Sequence, residues 1–197
     1  MKLSERFQQA LAYVVQIHRD QFRKGTQIPY VSHLLAVAAL ALEHGATEDE
    51  AIAALLHDAV EDAGGRGRLE DIRRRFGATV AEIVDGCTDA YEVPKPPWRP
   101  RKVAYIAKLR EAPASVQLVS CCDKLHNART TLADLRDLGE QVWEKFNGGR
   151  DGTLWYYREL LQAYQSDRVP KRLLDELRWT VEEMHRLAGA DFPTASG

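Results

Sequence analysis

Cysteine is scarce, with three residues in 197, namely Cys87, Cys121 and Cys122. Their number is odd, two are adjacent and no CxxC spacing occurs, which argues against a disulfide framework and a thiolate zinc site. They read as reduced, buried, small apolar side chains, in keeping with a cytoplasmic protein. Long apolar runs are missing too: none approaches the ~20 residues that span a bilayer. No signal-peptide core follows Met1, Lys2 and Leu3, so no membrane partner is expected. Neither sign of charge dominates. The 27 basic and 29 acidic residues leave a net charge of -2, and no nucleic acid partner is called for. Alternating strand patterns, internal repeats and low-complexity tracts are also absent.

What remains is helical patterning in a chain long enough for one core. Leu3 to Phe22 reads as an amphipathic helix with Phe7, Leu11 and His18 on or beside its apolar stripe, His18 as a capping or core histidine. Gly25 and Pro29 make the next stretch a loop carrying Arg23 and Lys24. Ser32 reads as the cap of a helix with His33 in its first turn, ended by Gly45. Thr47 and Glu50 form a capping box for a helix read as running to Asp62. Two short helices flank Gly77, from Leu69 to Phe76 and from Ala78 to Thr88. A proline-rich loop spans Ala90 to Pro100 and reads as a lid or a plain connection. Helices are expected over Arg101 to Arg110, from Pro113 through Cys121 and Cys122, over Val142 to Phe146, over Leu154 to Tyr164, and from Pro170 to about Leu187. The expected fold is all-α, a single domain over residues 1–189 with nine or ten helices and a frayed tail at 190–197.

Two places break the apolar pattern with charge. The first is His57-Asp58-Ala59-Val60-Glu61-Asp62, directly after the apolar run Ala51 to Leu56. On a continuous helix His57 lies over Glu61 and Asp58 over Asp62. Carboxylates beside an apolar stripe are costly unless paired, and a divalent cation would pair them. The second is Asp123, directly after the run Val116 to Cys122, with Asn127 on the same face. Together with His33 these give four candidate ligands on three helices: His33, His57, Asp58 and Asp123. Imidazole mixed with carboxylate suits Mn²⁺, Fe²⁺ or Zn²⁺. Such an ion lowers the pKa of water toward neutrality, and Glu61 and Asp62 are placed for proton transfer. Arg23, Lys24 and Arg129 could hold a phosphate chain, because guanidinium forks onto phosphate oxygens. The chemistry this set points to is metal-assisted hydrolysis of a phosphoester.

The order His33, His57-Asp58, Asp123 resembles the HD-superfamily phosphohydrolases. Gln21-Phe22-Arg23-Lys24, Pro29-Tyr30-Val31-Ser32-His33, Glu61-Asp62 and the run Asp123-Lys124-Leu125-His126-Asn127-Ala128-Arg129-Thr130 narrow the resemblance. They are similar to the hydrolase domain of RelA/SpoT homologues, and most of all to stand-alone small alarmone hydrolases. The resemblance implies an HD-domain helical bundle and Mn²⁺-dependent removal of the 3′-pyrophosphate of ppGpp and pppGpp, with Fe²⁺ or Zn²⁺ as alternative ions. It implies His33, His57, Asp58 and Asp123 as metal ligands and Glu61 and Asp62 as the catalytic pair. Arg23, Lys24, Tyr30, Asn127 and Thr130 would line the guanosine nucleotide site, with Arg129 as a further cation. The chain departs from the family pattern at Leu34, at Cys121-Cys122 and in a basic loop about one residue longer. The stretch after Leu132 is too short for a synthetase domain, so hydrolase activity alone is expected. The competing readings are an HD phosphohydrolase of another nucleotide (a nucleoside phosphate or NADPH) and a non-catalytic alarmone-binding module.

Overall fold

A computed structural model describes residues 2–91 and 94–192. Among the described residues the regular structure is helical, apart from one isolated β-bridge between Phe22 and Pro29. Helix α1, Glu5–Ile17, starts where the Ser4 hydroxyl accepts from the Arg6 amide and buries Phe7, Ala10, Tyr13 and Val14. It stops five residues short of Phe22. His18 takes the C-cap position, its amide bonded to the Val14 carbonyl at 3.2 Å, and its ring is buried beside Gln21. His18 is thus the capping histidine its position suggests.

Helix α2, Val31–Glu43, buries His33, Leu34, Val37 and Ala38. Ser32 does not cap it. The turn already begins at Pro29, whose carbonyl accepts from the Ser32 amide at 3.0 Å, so Tyr30 occupies the cap position. Gly45, with φ +83°, ends this segment in a conformation that favours glycine. Helix α3, Glu48–Leu56, begins with the expected capping box of Thr47 and Glu50, and Ala51 to Leu56 are all buried.

The helix does not run on to Asp62. The chain turns at His57 and Asp58, and one short turn, α4 (Ala59–Asp62), follows. The His57 ring takes the Ala54 carbonyl at 2.8 Å, the acceptor an unbroken helix assigns to the Asp58 amide. Of the two expected i,i+4 stripes, the backbone keeps the second, with the Asp62 amide 3.0 Å from the Asp58 carbonyl.

Helices α5 (Gly65–Phe76) and α6 (Ala78–Cys87) are separated by Gly77. The former starts earlier than Leu69. Helix α7, Trp98–Glu111, begins inside the proline-rich stretch, with Pro100 in the first turn, where a missing amide costs little. Of that stretch, residues 92 and 93 lie outside the described residues, as do 193–197 of the expected tail. Helix α8, Ala114–Leu138, is the central element and packs against α2, α3, α6 and the C-terminal helix α10, Lys171–Leu187. Between α8 and α10 lie a 3₁₀ segment, Gly139–Lys145, and helix α9, Gly149–Ala163. The stretch read as a helix from Val142 is that 3₁₀ turn. One contiguous apolar core runs from Phe7 to Ala188. All three cysteines are free, with Cys121 and Cys122 fully buried. Burial pushes the Cys87 thiol up to about 12, so nucleophilic thiolate is suppressed.

Candidate metal centre and active site

Helix α2 brings His33, the α3–α4 turn brings His57 and Asp58, and the middle of α8 brings Asp123. The four side chains converge. The His33 Nε2 lies 3.2 Å from Asp123 Oδ1 and 3.6 Å from Asp58 Oδ2. The His57 Nε2 lies 3.0 Å from Asp58 Oδ2 and 3.6 Å from Asp123 Oδ1. Ligand atoms of His33, His57 and Asp58 all fall within 4.8 Å of one another.

The donor set fits a divalent ion on its own geometry. Both Nε2 atoms are buried and have no hydrogen-bond partner. The His57 Nδ1 faces the Ala54 carbonyl at 2.8 Å. A carbonyl only accepts, so Nδ1 carries a proton and Nε2 is the nitrogen turned to the carboxylates, the usual orientation of a ligating imidazole. The electrostatics call for positive charge at Nε2, either a proton or a metal ion. Burial disfavours charge on His57, but the Asp58 and Asp123 carboxylates outweigh it and raise its pKa well above the ordinary range. Burial likewise pushes Asp58 up, and His57 together with His33 holds it well below. Asp123 is buried too, and Lys124 and the two histidines bring it down. Two buried carboxylates held ionised make a place for positive charge.

Neighbouring side chains orient these candidate ligands. The Tyr30 hydroxyl donates to Asp58 Oδ2 at 2.6 Å. The Asn127 amide donates to Asp123 Oδ1 at 2.5 Å, and Lys124 donates to Asp123 Oδ2. Arg23 in turn donates to the Asn127 carbonyl oxygen at 2.8 Å and lies over the Tyr30 ring. The His33 Nδ1 meets the His126 Nδ1 at 2.8 Å.

Glu61 and Asp62 sit one turn beyond the ligands on α4. Asp62 accepts from the Gln21 amide at 2.8 Å. Its carboxyl is pushed up, first by burial and then by the charges of Asp58 and Glu61. Glu61 is held from the proline-rich segment and the residue before it: Lys95 donates to it at 2.6 Å and the Asp89 amide at 3.3 Å.

A cavity of about 530 Å³ adjoins this centre. Its wall includes Arg23, Lys24, Tyr30, Asn127 and Thr130, five of the six residues expected at a nucleotide site, and also Lys124, His126 and Trp98. Arg129 is the exception. It faces α10, where it pairs with Glu176 at 2.5 Å, because one step along a helix turns a side chain by about 100° away from its neighbour. Four residues with no role assigned from sequence also act here: Gln21, Lys95, Lys124 and His126. All but Lys95 lie inside a quoted motif, yet nothing in their spacing reveals their partners.

Comparison with known proteins accords with this geometry. A family model described as an HD domain matches residues 10–154. The chain is 35% identical over 125 residues to a guanosine-3′,5′-bis(diphosphate) 3′-pyrophosphohydrolase of Haemophilus influenzae, covering 60% of this chain but only 17% of that protein. It is 33% identical over 140 residues to the Xenopus tropicalis protein named guanosine-3′,5′-bis(diphosphate) 3′-pyrophosphohydrolase MESH1, covering 70% of this chain and 73% of the relative. A solved structure described as a metazoan ortholog of SpoT that hydrolyzes ppGpp superposes with a TM-score of 0.71 at 26% identity, over 96% of this chain and 98% of that one. HD hydrolases depend on a divalent metal. No helix among the described residues is long and apolar enough to cross a membrane. The chain belongs to the HD-domain family and groups there with the MESH1-type relatives.

Proposed function

We propose that this chain is a metal-dependent hydrolase acting on the 3′-pyrophosphate of ppGpp and pppGpp, giving GDP or GTP and pyrophosphate in the cytoplasm. One observation carries the reading. Two buried imidazole nitrogens without partners face two ionised carboxylates, at the edge of a cavity walled by Arg23, Lys24 and Lys124. An anionic ligand and a cation are both provided for. Sequence relatives, one of them matched over 73% of its length, carry the pyrophosphohydrolase name.

In this reading residues 1–189 form one catalytic domain. His33, His57, Asp58 and Asp123 hold the ion, for which Mn²⁺ suits the mixed nitrogen and oxygen donors, with Fe²⁺ or Zn²⁺ as alternatives. A divalent ion at this position supplies Lewis acidity and offsets the diphosphate charge. Glu61 and Asp62 accept the proton of the attacking water and return one to the leaving ribose oxygen. The raised Asp62 carboxyl supports such a role. Arg23, Lys24, Tyr30, Asn127 and Thr130 bind the nucleotide and keep its phosphates in register with the ion.

The test is product analysis of ppGpp incubated with protein and Mn²⁺, set beside NADPH and simple nucleoside phosphates. GDP and pyrophosphate in equal amounts are expected. Turnover of another nucleotide with ppGpp untouched would overturn the substrate assignment. Binding of ppGpp without release of pyrophosphate would overturn the catalytic one.

A further inference from the structure

We infer that His126 is a positioning residue of the metal centre: its Nδ1 accepts the Nδ1 proton of His33 and thereby fixes the His33 tautomer whose Nε2 lone pair faces the ion. This rests on reading His33 as a ligand. The contact is unusual in kind. Two imidazole nitrogens stand 2.8 Å apart, with ring centroids at 4.8 Å and planes inclined by 47°. At that separation the pair shares one proton: two bare lone pairs would repel and two N–H groups would clash.

Which ring owns the proton follows from the far side of His33. There Nε2 is buried without a hydrogen-bond partner and points between Asp123 Oδ1 and Asp58 Oδ2. A cation shared with those oxygens needs a lone pair on Nε2. The His33 proton then resides on Nδ1 and His126 Nδ1 accepts it. The neutral His126 ring keeps its own proton on Nε2, across the ring from that contact, and the residue is part of the cavity wall. His57 makes a useful contrast. Its Nδ1 faces a backbone carbonyl, which can only accept, so that tautomer is set by the fold. His33 instead faces a side chain that can donate or accept. Helix α8 therefore supplies both a ligand, Asp123, and, three residues on, the group that decides whether a second ligand is competent.

Two variants and one spectrum test this. Phe at position 126 keeps an aromatic ring and removes the acceptor. Asn keeps an oxygen acceptor close to the place of Nδ1. By calorimetry, His126→Phe should weaken Mn²⁺ binding by about 10- to 100-fold, the usual cost of losing the partner behind a ligating histidine, while His126→Asn stays within about threefold of wild type. In the folded wild-type protein loaded with diamagnetic Zn²⁺, ¹⁵N spectra should show the His33 Nδ1 protonated. This readout does not depend on either variant folding. Wild-type affinity in His126→Phe, or a bare His33 Nδ1 in the loaded protein, would overturn the inference with the ligand reading intact. Undiminished binding in His33→Ala would overturn the ligand reading itself, and this inference with it.

Discussion

His57 shows how much one bond decides. With the Ala54 carbonyl holding its Nδ1 proton, the ring turns Nε2 toward Asp58 and Asp123, where that nitrogen takes either a proton or an ion. Removing single carboxylates from this group and from the next turn should tell ion binding from proton transfer. Asp58→Ala should lose Mn²⁺ binding and turnover together. Glu61→Ala should bind Mn²⁺ like wild type, while its kcat falls by about 10²- to 10⁴-fold, the range for a lost acid–base group. Calorimetry and initial rates on the same preparations check both, and wild-type turnover in Glu61→Ala would remove that residue from the mechanism. Arg129→Ala is the complementary control. Its partner Glu176 lies on α10 and the Arg129 side chain is 48% exposed, so the pair contributes about 0–1 kcal/mol. Its kcat/KM should stay within about twofold of wild type. At this scale the candidate ligands His57, Asp58 and Asp123 stood out because they follow apolar runs that end at Leu56 and at Cys122, where a charge has no cheap alternative, and His33 because it opens one. The direction of Arg129 was not legible, since its charge fits an anion site and an ion pair equally well. Nor was the His33–His126 contact, formed between helices that only the fold brings together.

The break between α3 and α4 sets the depth of Glu61 and Asp62. It leaves His57 and Asp58 in the wall of the core and lifts Glu61 and Asp62 to where Lys95, Asp89 and Gln21 reach them. Periodicity alone could not reveal it, because residues 57 to 62 satisfy helical spacing whether or not the backbone turns. The capping box at Thr47 was fully legible, being a local exchange of two bonds. The Ser32 cap failed because the preceding turn at Pro29 had already started the helix. Where α6 packs against α8, Gly86 faces Val116. A Cβ there would lie 2.5 Å from Val116 Cγ2. Alanine improves helix propensity by about 1 kcal/mol, but overpacking of this kind costs about 1–3 kcal/mol. Gly86→Ala should accordingly lower stability, seen as a reduced urea midpoint with an unchanged m-value. A midpoint at or above wild type would show that α6 can move away freely.

At the level of the whole chain, the proposed ion site draws on α2, α8 and the α3–α4 turn, so it is assembled only in the folded state. An ion that binds only that state stabilises it by about 2.7 kcal/mol at a concentration 100 times Kd. For a chain of this size each kcal/mol moves Tm by about 2–4 °C, giving a rise of roughly 5–11 °C on adding Mn²⁺. Calorimetric scans with Mn²⁺ and with chelator should show it, and equal Tm values would contradict a site assembled from three elements. The all-α class and the single core were legible from the absence of alternation and from the apolar period. Element ends were less so, as at Phe22, where α1 stops early and a different piece of structure takes over.

That piece is the Phe22–Pro29 bridge. The Arg23 amide reaches the Ile28 carbonyl at 2.8 Å and the Tyr30 amide reaches the Gln21 carbonyl at 2.8 Å. These bonds close the basic loop at its base, and residues 24–27 form its tip, with Gly25 at φ +74°. An added or deleted residue at the tip leaves Arg23 and Tyr30 where they are. The extra residue counted along this loop therefore does not displace either side chain from the cavity. When this loop is aligned with that of a relative, the ruler is the bridge, and gaps belong beyond it.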